Sequence, residues 1–206
     1  SRLARSAGEQ GADVFVPVLQ ELSVKDSPVA AAALEALDGL GKERPSARLL
    51  ALLDAETLEL RVYAAEALGR RVAGDEAALG AVSGLLSSQD GPLDVRLAAA
   101  RGLGDSGSPK AIDALAAVVS QGDAVTRTAA VSLARIGGPR VHALLKEAIL
   151  GGPPEAMVAS VMAMVELREE CGGCLEFLAE QYRSHEQPAV REMIGIMLEL
   201  HKKHEH

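Results

Sequence analysis

The block from Leu60 to Gly69 recurs along the chain, and this repeat restricts the fold more than any other feature of the sequence. Its clearest copies begin at Val95 and Val125 and keep an apolar first residue, a pair of alanines and a closing leucine. The closing positions, here called anchors, return at intervals of about 30 to 35 residues. They are Leu3, Leu37, Leu68, Leu103, Leu133, a position near Val165, and Leu198. This period predicts stacked supersecondary units instead of one globular core.

The apolar residues of each block have helical spacing. Val62, Ala65 and Leu68 are three residues apart, which places them on one face of a helix. A glycine-containing break follows each block, and a second apolar segment with helical spacing comes after the break. The predicted second helices are Ser46–Leu53, Glu76–Leu86, Pro109–Val119, Pro139–Leu150 and Cys174–Tyr182. Since no strand-like alternation stands out, we predict an all-α solenoid of paired antiparallel helices.

The repeats extend over almost the whole sequence, so we expect residues 1–206 to form a single array of about six repeats. The first residues, from Leu3 to Gly8, match the end of a block helix at Leu133 to Gly137. The array therefore begins within a repeat. Because a terminal repeat normally has a polar cap, we expect the chain to be the C-terminal part of a longer protein.

Composition and charge argue against several kinds of partner. The net charge is −8, and 48% of the residues are hydrophobic but only 2% are aromatic. Binding to nucleic acid or to an anionic membrane needs concentrated lysine and arginine, so we predict neither partner. No apolar run approaches the roughly 18 residues of a membrane span, and no signal peptide opens the chain. These observations predict a cytoplasmic protein.

The segment from Gly102 to Gly107 matches the dinucleotide-binding pattern G-x-G-x-x-G. In a dinucleotide site this pattern joins a strand to the N-terminus of a helix, which faces the pyrophosphate. Here it ends a predicted helix in register with the repeat. We therefore assign it to an interhelical turn and predict no cofactor.

Cys171 and Cys174 form a C-x-x-C pair before a predicted second helix. Three interpretations are open. The cysteines are small residues filling a tight turn, or a redox pair at a helix N-terminus, or zinc ligands together with His185 or the histidines of the tail. A zinc site usually has a second well-spaced ligand pair, and the sequence offers none.

The block Asp94-Val95-Arg96-x-x-Ala99-Ala100-x-x-Leu103-Gly104 resembles the HEAT-like repeats, in particular the short variety of the phycobilisome lyases. The resemblance implies that the first helices, which contain the blocks, line the convex side of the solenoid and the second helices line its concave side. It also implies a ladder of turn aspartates and helix arginines. Arg61, Arg96 and Arg191 keep the arginine position, whereas Thr126 departs from it, so the ladder is incomplete.

No arrangement of residues indicates catalysis, so we predict a noncatalytic scaffold that holds a helix or an extended segment of another protein in its concave groove. Small or charged positions of the second helices leave room for the partner and orient it. The predicted partner-binding residues are Arg48, Gly80, Ser83, Lys110, Asp113, Arg140 and Lys146. The alternative function is a bilin lyase or isomerase subunit that acts on a phycobiliprotein, which the short repeat type alone supports.

Overall fold

The protein is built from helices in a computed structural model that describes residues 20, 23, 28–39, 45–167 and 171–204. Within these residues there are eleven α-helices, one short 3-10 helix and no strand, which confirms the predicted fold class. The α-helices are α1 (Pro28–Gly39), α2 (Ser46–Leu52), α3 (Leu58–Gly69), α4 (Glu76–Ser87), α5 (Leu93–Asp105), α6 (Ile112–Gln121), α7 (Thr126–Ile136), α8 (Pro139–Gly151), α9 (Pro154–Glu166), α10 (Cys174–Ser184) and α11 (Pro188–His204). The predicted half-repeat at Leu3 lies outside the described residues.

Odd-numbered helices contain the repeated blocks and are called the anchor helices, while even-numbered helices are the second helices. Each second helix packs against the anchor helix that follows it, and α4, α8 and α10 also contact the anchor helix before them. The core lies between the two layers and consists largely of alanines from the anchor helices and leucines from the second helices, such as Ala99, Ala130, Leu86, Leu115 and Leu145.

Proline and aspartate mark the beginning of several helices. Pro139 and Pro154 are the first residues of α8 and α9. Proline is favourable there because the N–H that it lacks would have no hydrogen-bond partner within the helix. Asp75 caps α4, because its carboxylate accepts a hydrogen bond from the Ala78 N–H at 3.0 Å. At Pro109–Ala111 the chain forms a 3-10 turn, so the regular helix α6 begins later than predicted.

The anchors on the first four anchor helices are equivalent buried positions, as the repeat predicts. Each is at most 1% exposed: Leu37, Leu68, Leu103 and Leu133. In α9 the equivalent fully buried residue is Met164, next to the predicted Val165. Leu198 of α11 is only partly buried, because no helix of the described residues packs on its far side.

Candidate functional site

Neighbouring anchor helices approach one another backbone to backbone. A methyl group on Gly69 of α3 would lie 2.7 Å from the backbone of Gly102 in α5, and one on Gly102 would collide with the backbone of Glu66. At the next interface, a methyl group on Gly104 would lie 2.7 Å from the side chain of Ser132 in α7. Glycine is required at these places because any side chain would push the helices apart. The small residues of the repeated block thus set the spacing of the anchor layer.

The second helices lie further apart. Most contacts between successive repeats join anchor helices, and neighbouring second helices touch at few places. A cavity of about 510 Å³ opens between α6 and α8, and its lining includes Leu133 and Ala156 of the anchor layer. The more closely spaced layer of a curved two-layer stack lies on the inside of the curve, so we infer that the anchor helices form the concave face. This spacing argues against the expectation that second helices line the concave side, because the glycines and alanines of the block draw the anchor helices together.

The concave face carries a row of solvent-accessible apolar side chains, with at least one on each anchor helix from α3 to α11. They are Val62, Leu97, Val131, Val158, Met162 and Ile196. Val158 is 41% exposed and Ile196 is 54% exposed, which is high for such large apolar residues. The backbones of α3, α5 and α7 approach one another closely beneath Val62, Leu97 and Val131, so the mutual positions of these three side chains are fixed. Accessible apolar surface of this kind is typical of a protein-binding site.

Carboxylates outnumber guanidinium groups among the accessible charged side chains of the concave face, apart from the ladder arginines. The carboxylates are Glu35, Asp38, Glu59, Glu66, Asp94, Asp105, Glu155, Glu166, Glu192 and Glu199, and the arginines are Arg70, Arg71, Arg101, Arg127 and Arg135. Several of these groups pair within the face. Arg70 lies 2.8 Å and Arg101 3.6 Å from carboxylate oxygens of Glu66, and Arg135 lies 2.8 Å from Asp105. The face as a whole is therefore acidic.

Two adjoining cavities, of about 470 and 630 Å³, form a groove on this face between α1 and α3. Both are lined by Glu35, Val62 and Tyr63, and this space is called the α1–α3 groove. The Tyr63 hydroxyl donates a hydrogen bond to Asp38 at 2.8 Å. Burial and the negative charge of Asp38 raise the pKa of Tyr63 well above its ordinary value, so the phenol stays protonated.

The seven residues predicted to bind a partner lie in the outer layer, on the second helices and on the 3-10 turn before α6. They are Arg48, Gly80, Ser83, Lys110, Asp113, Arg140 and Lys146, and all are at least partly exposed. The structure links several of them across neighbouring second helices.

Lys110 pairs with Glu76, and Arg140 pairs with Asp113. The Lys146 ammonium lies 5.2 Å from the centre of the Phe177 ring. These contacts join one second helix to the next along the outer face, where pairs of exposed charges contribute little stability. The part these residues play in binding stays a prediction, and it now concerns the convex face.

Arg96 forms one rung of the implied ladder between repeats. Its guanidinium donates to the Leu86 carbonyl at the end of α4 at 3.1 Å and to the Asp123 carboxylate before α7. Burial alone would raise the pKa of Asp123, but hydrogen bonds from Arg96 and from the backbone lower it below its ordinary value. At the equivalent place in the next repeat, the Thr126 hydroxyl donates to the Val118 carbonyl at 3.3 Å. Arg96 and Thr126 thus donate hydrogen bonds to carbonyl groups at the ends of second helices, and their role is structural.

The C-x-x-C pair is a disulfide. The sulfurs of Cys171 and Cys174 are bonded to each other, and both residues are buried at the start of α10. The Nε2–H of His185 donates to the Ile149 carbonyl at 2.8 Å, and its Nδ1 accepts from the Gln187 N–H at 3.1 Å. This tautomer follows because a carbonyl only accepts and an N–H only donates. With the sulfurs and both ring nitrogens engaged, the zinc interpretation is wrong, and the oxidised pair agrees with the structure.

The glycine-rich segment that resembles a dinucleotide motif lies at the end of α5, as predicted. Gly102 and Gly104 are inside the helix, where they face α3 and α7. Gly107 has a φ of +59°, which turns the chain toward the next helix. The motif therefore serves helix packing and a turn.

A sequence profile of the family described as HEAT repeats matches residues 46–131 and again residues 80–165, which together cover more than half of the chain. The chain belongs to the HEAT-repeat family. No curated protein matches it. The profile identifies the class of repeat and does not distinguish the phycobilisome-lyase variety that the blocks resemble.

HEAT repeats generally form helical scaffolds for protein–protein interactions and are generally noncatalytic. Among the described residues, no group of three or more histidine, cysteine, aspartate or glutamate side chains could hold a metal ion. None of the described helices of the HEAT array combines the length and the apolar character that crossing a membrane requires.

The concave face of the HEAT array was missed at the level of sequence, although a signal was present. Alanine and glycine are concentrated in the anchor helices, and small residues let helix backbones approach closely. Close approach in one layer indicates on which side a two-layer array is concave. With that side assigned, the variable positions of the block, such as Val62, Leu97 and Val131, would have been the predicted contact residues.

Proposed function

We propose that this HEAT-repeat chain is a noncatalytic scaffold that binds a segment of another protein along the concave face of its anchor helices. The observation that carries the proposal is the row of accessible apolar side chains from Val62 to Ile196. Apolar side chains in repeated positions offer a partner a continuous surface to bury, and burial of such surface drives association.

The rigidity of the anchor layer supports the same proposal. Because glycine and alanine bring the backbones of α3, α5 and α7 into contact, the side chains on their concave face need no reordering before a partner binds. A preformed surface loses less conformational entropy on association than a flexible one, which increases affinity. The paired charges around Glu66 and Asp105 would direct the orientation of the partner more than they would add affinity.

The seven second-helix residues define the competing location for the partner. Gly80 and Ser83 belong to an open stretch of α4, and a methyl group on Gly80 would meet nothing within 4 Å. A partner on that side would lie on the convex face and would compete with the ion pairs between second helices. The two faces are separated by the core, so a single experiment can distinguish them.

The experiment places a photo-crosslinking phenylalanine analogue at one position at a time in the full chain. Val131 and Val158 report on the concave face, while Ser83 and Ala117 report on the convex face. After irradiation in the source cells, we expect discrete adducts from the concave positions, and we expect Val131→Arg to abolish the adduct formed at Val158.

Ser83→Trp serves as the matched control, since it adds bulk to the convex face and should leave the adduct at Val158 unchanged. Circular dichroism establishes that each variant keeps its helices. Adducts that form only at Ser83 and Ala117, and that Ser83→Trp removes, would show that the partner occupies the outer face.

A further inference from the structure

Building on the proposed function, we infer that the α1–α3 groove receives a cationic protein segment, whose lysine or arginine side chains meet the carboxylates of Glu35, Glu59 and Asp94. All three residues line one of the two cavities that form the groove. They come from three successive anchor helices, so the acidic surface runs across the array and would follow a segment laid along it.

The distribution of charge between the two faces supports this inference. The second helices and the 3-10 turn carry cations and carboxylates in equal number, and several of these groups pair between neighbouring helices. The excess of carboxylates is on the concave side. A concave surface with one sign of charge attracts ligands of the opposite sign and raises their association rate.

Within the groove, the guanidinium groups are already engaged and the three carboxylates are not. Arg101 lines the groove, but it is paired with Glu66, which Arg70 also contacts. Arg71 lines it as well, and its charge acts on Tyr63 and Asp75. Glu35, Glu59 and Asp94 have no ion-pair partner in the described part of the chain. The cation that would balance them has to come from outside these residues.

The helix dipole explains only part of this acidic surface. Glu59 and Asp94 lie in the first turns of α3 and α5, where the dipole favours a carboxylate. Glu35 lies in the second half of α1, where the dipole disfavours it. Further along the same groove, the second carboxylate oxygen of Asp38 is buried and has no hydrogen-bond partner in the described residues. An incoming ammonium or guanidinium group would supply the missing donor.

Apolar side chains between the carboxylates define the partner more closely. Ala32, Leu58 and Val62 line the same space as Glu35 and Glu59. Lysine and arginine side chains pack their methylene stems on apolar surface while the charged ends meet carboxylates. The groove therefore suits a segment in which basic and aliphatic residues are mixed, in preference to a purely basic one.

The test measures binding of a short fluorescein-labelled peptide of alternating leucine and lysine to the full chain by fluorescence anisotropy. A triple variant, Glu35→Gln with Glu59→Gln and Asp94→Asn, removes the groove carboxylates. The matched control is Glu147→Gln with Glu176→Gln and Glu180→Gln, which makes the same change in net charge on the second helices. We expect the groove variant to weaken binding by about tenfold, as the loss of three weak charge contacts implies, and to reduce its salt dependence.

The control should bind the peptide within about twofold of the unmodified chain. Equal weakening in both triple variants would mean that bulk charge attracts the peptide, and equal binding of a leucine–glutamate peptide would mean that charge plays no part in binding. Either result overturns the inference. Should the groove variant fail to fold, Ala32→Trp tests the inference instead. This substitution fills the groove without changing charge and should abolish binding of the peptide.

The two proposals fail separately. If crosslinks to a partner persist at Val131 and Val158 while the groove variant binds that partner normally, the cationic specificity is wrong and the concave scaffold stands. If crosslinks form only at Ser83 and Ala117, the proposed function itself is wrong.

Discussion

Gly102 and Gly80 are both helical glycines, yet their surroundings give a side chain at each position opposite effects. Gly102 in α5 faces the backbone of Glu66, which cannot move without separating α3 from α5. Gly80 in α4 faces open space. A comparison of the two positions therefore tests, at the level of one methyl group, whether the anchor layer is the tightly packed one.

We expect Gly102→Ala to lower the free energy of unfolding by about 1–3 kcal/mol, the usual effect of overpacking a tight interface. Gly80→Ala should raise it by about 0.5–1 kcal/mol, because alanine loses less backbone entropy in a helix than glycine does. Urea denaturation of both variants checks the prediction. Stabilisation by Gly102→Ala would mean that α3 and α5 are not in backbone contact.

Residue types along the repeat were enough to predict the buried anchors, since Leu68, Leu103 and Leu133 occupy equivalent places in similar blocks. Residue types could not decide the state of Cys171 and Cys174, because a C-x-x-C turn is compatible with a thiol pair, a disulfide or a metal. The distance between the two sulfurs depends on how the turn before α10 folds.

At the scale of helices, the second-helix starts were predictable because proline and glycine mark them locally. The concave side of the array could not be predicted from the sequence, because it depends on how closely helices far apart in the chain approach each other. The partners of Lys110 and Arg140 are a similar case. They lie on neighbouring second helices, and the sequence does not reveal which turns face each other.

The contact between Arg96 and Asp123 ties the end of α4 to the turn before α7, and its contribution to stability depends on pH. The native pKa of Asp123 is lower than the ordinary value of about 3.9 in an unfolded chain. A carboxylate with a lowered native pKa stabilises the fold above its unfolded pKa, and this contribution is lost as the pH falls through the native pKa.

We expect Asp123→Asn to lower the free energy of unfolding at neutral pH by about 1–3 kcal/mol, because Arg96 is left buried without its counter-charge. The difference between the variant and the unmodified chain should shrink when urea denaturation is repeated below about pH 4. Asp113→Asn, which breaks an exposed pair, is the control and should change little at either pH. A difference for Asp123→Asn that is independent of pH would contradict this account.

For the whole molecule, stability passes from each repeat to its neighbours, so the position of a substitution matters as much as its chemistry. Leu133 is buried in the middle of the array, with anchor helices on both sides. Leu198 occupies the equivalent place in α11 but is only partly buried.

We expect Leu133→Ala to cost about 2–5 kcal/mol and Leu198→Ala clearly less, because truncating a partly buried leucine leaves a smaller cavity. Hydrogen exchange should show faster opening in α5 and α9 for Leu133→Ala, but only near α11 for Leu198→Ala. Equal destabilisation by the two substitutions would argue that α11 is covered by a further part of the protein.

The backbone contact between anchor helices has a mechanical consequence for the array. In a bent beam, the layer that can neither shorten nor lengthen is the neutral axis, and deformation is carried by the material away from it. Here the layer fixed by Gly69, Gly102 and Gly104 is that axis, while the gaps between second helices can widen or close. The array should therefore bend without changing the spacing of the side chains on its concave side. A partner would meet the same arrangement of contact residues whether the gaps between second helices are open or closed.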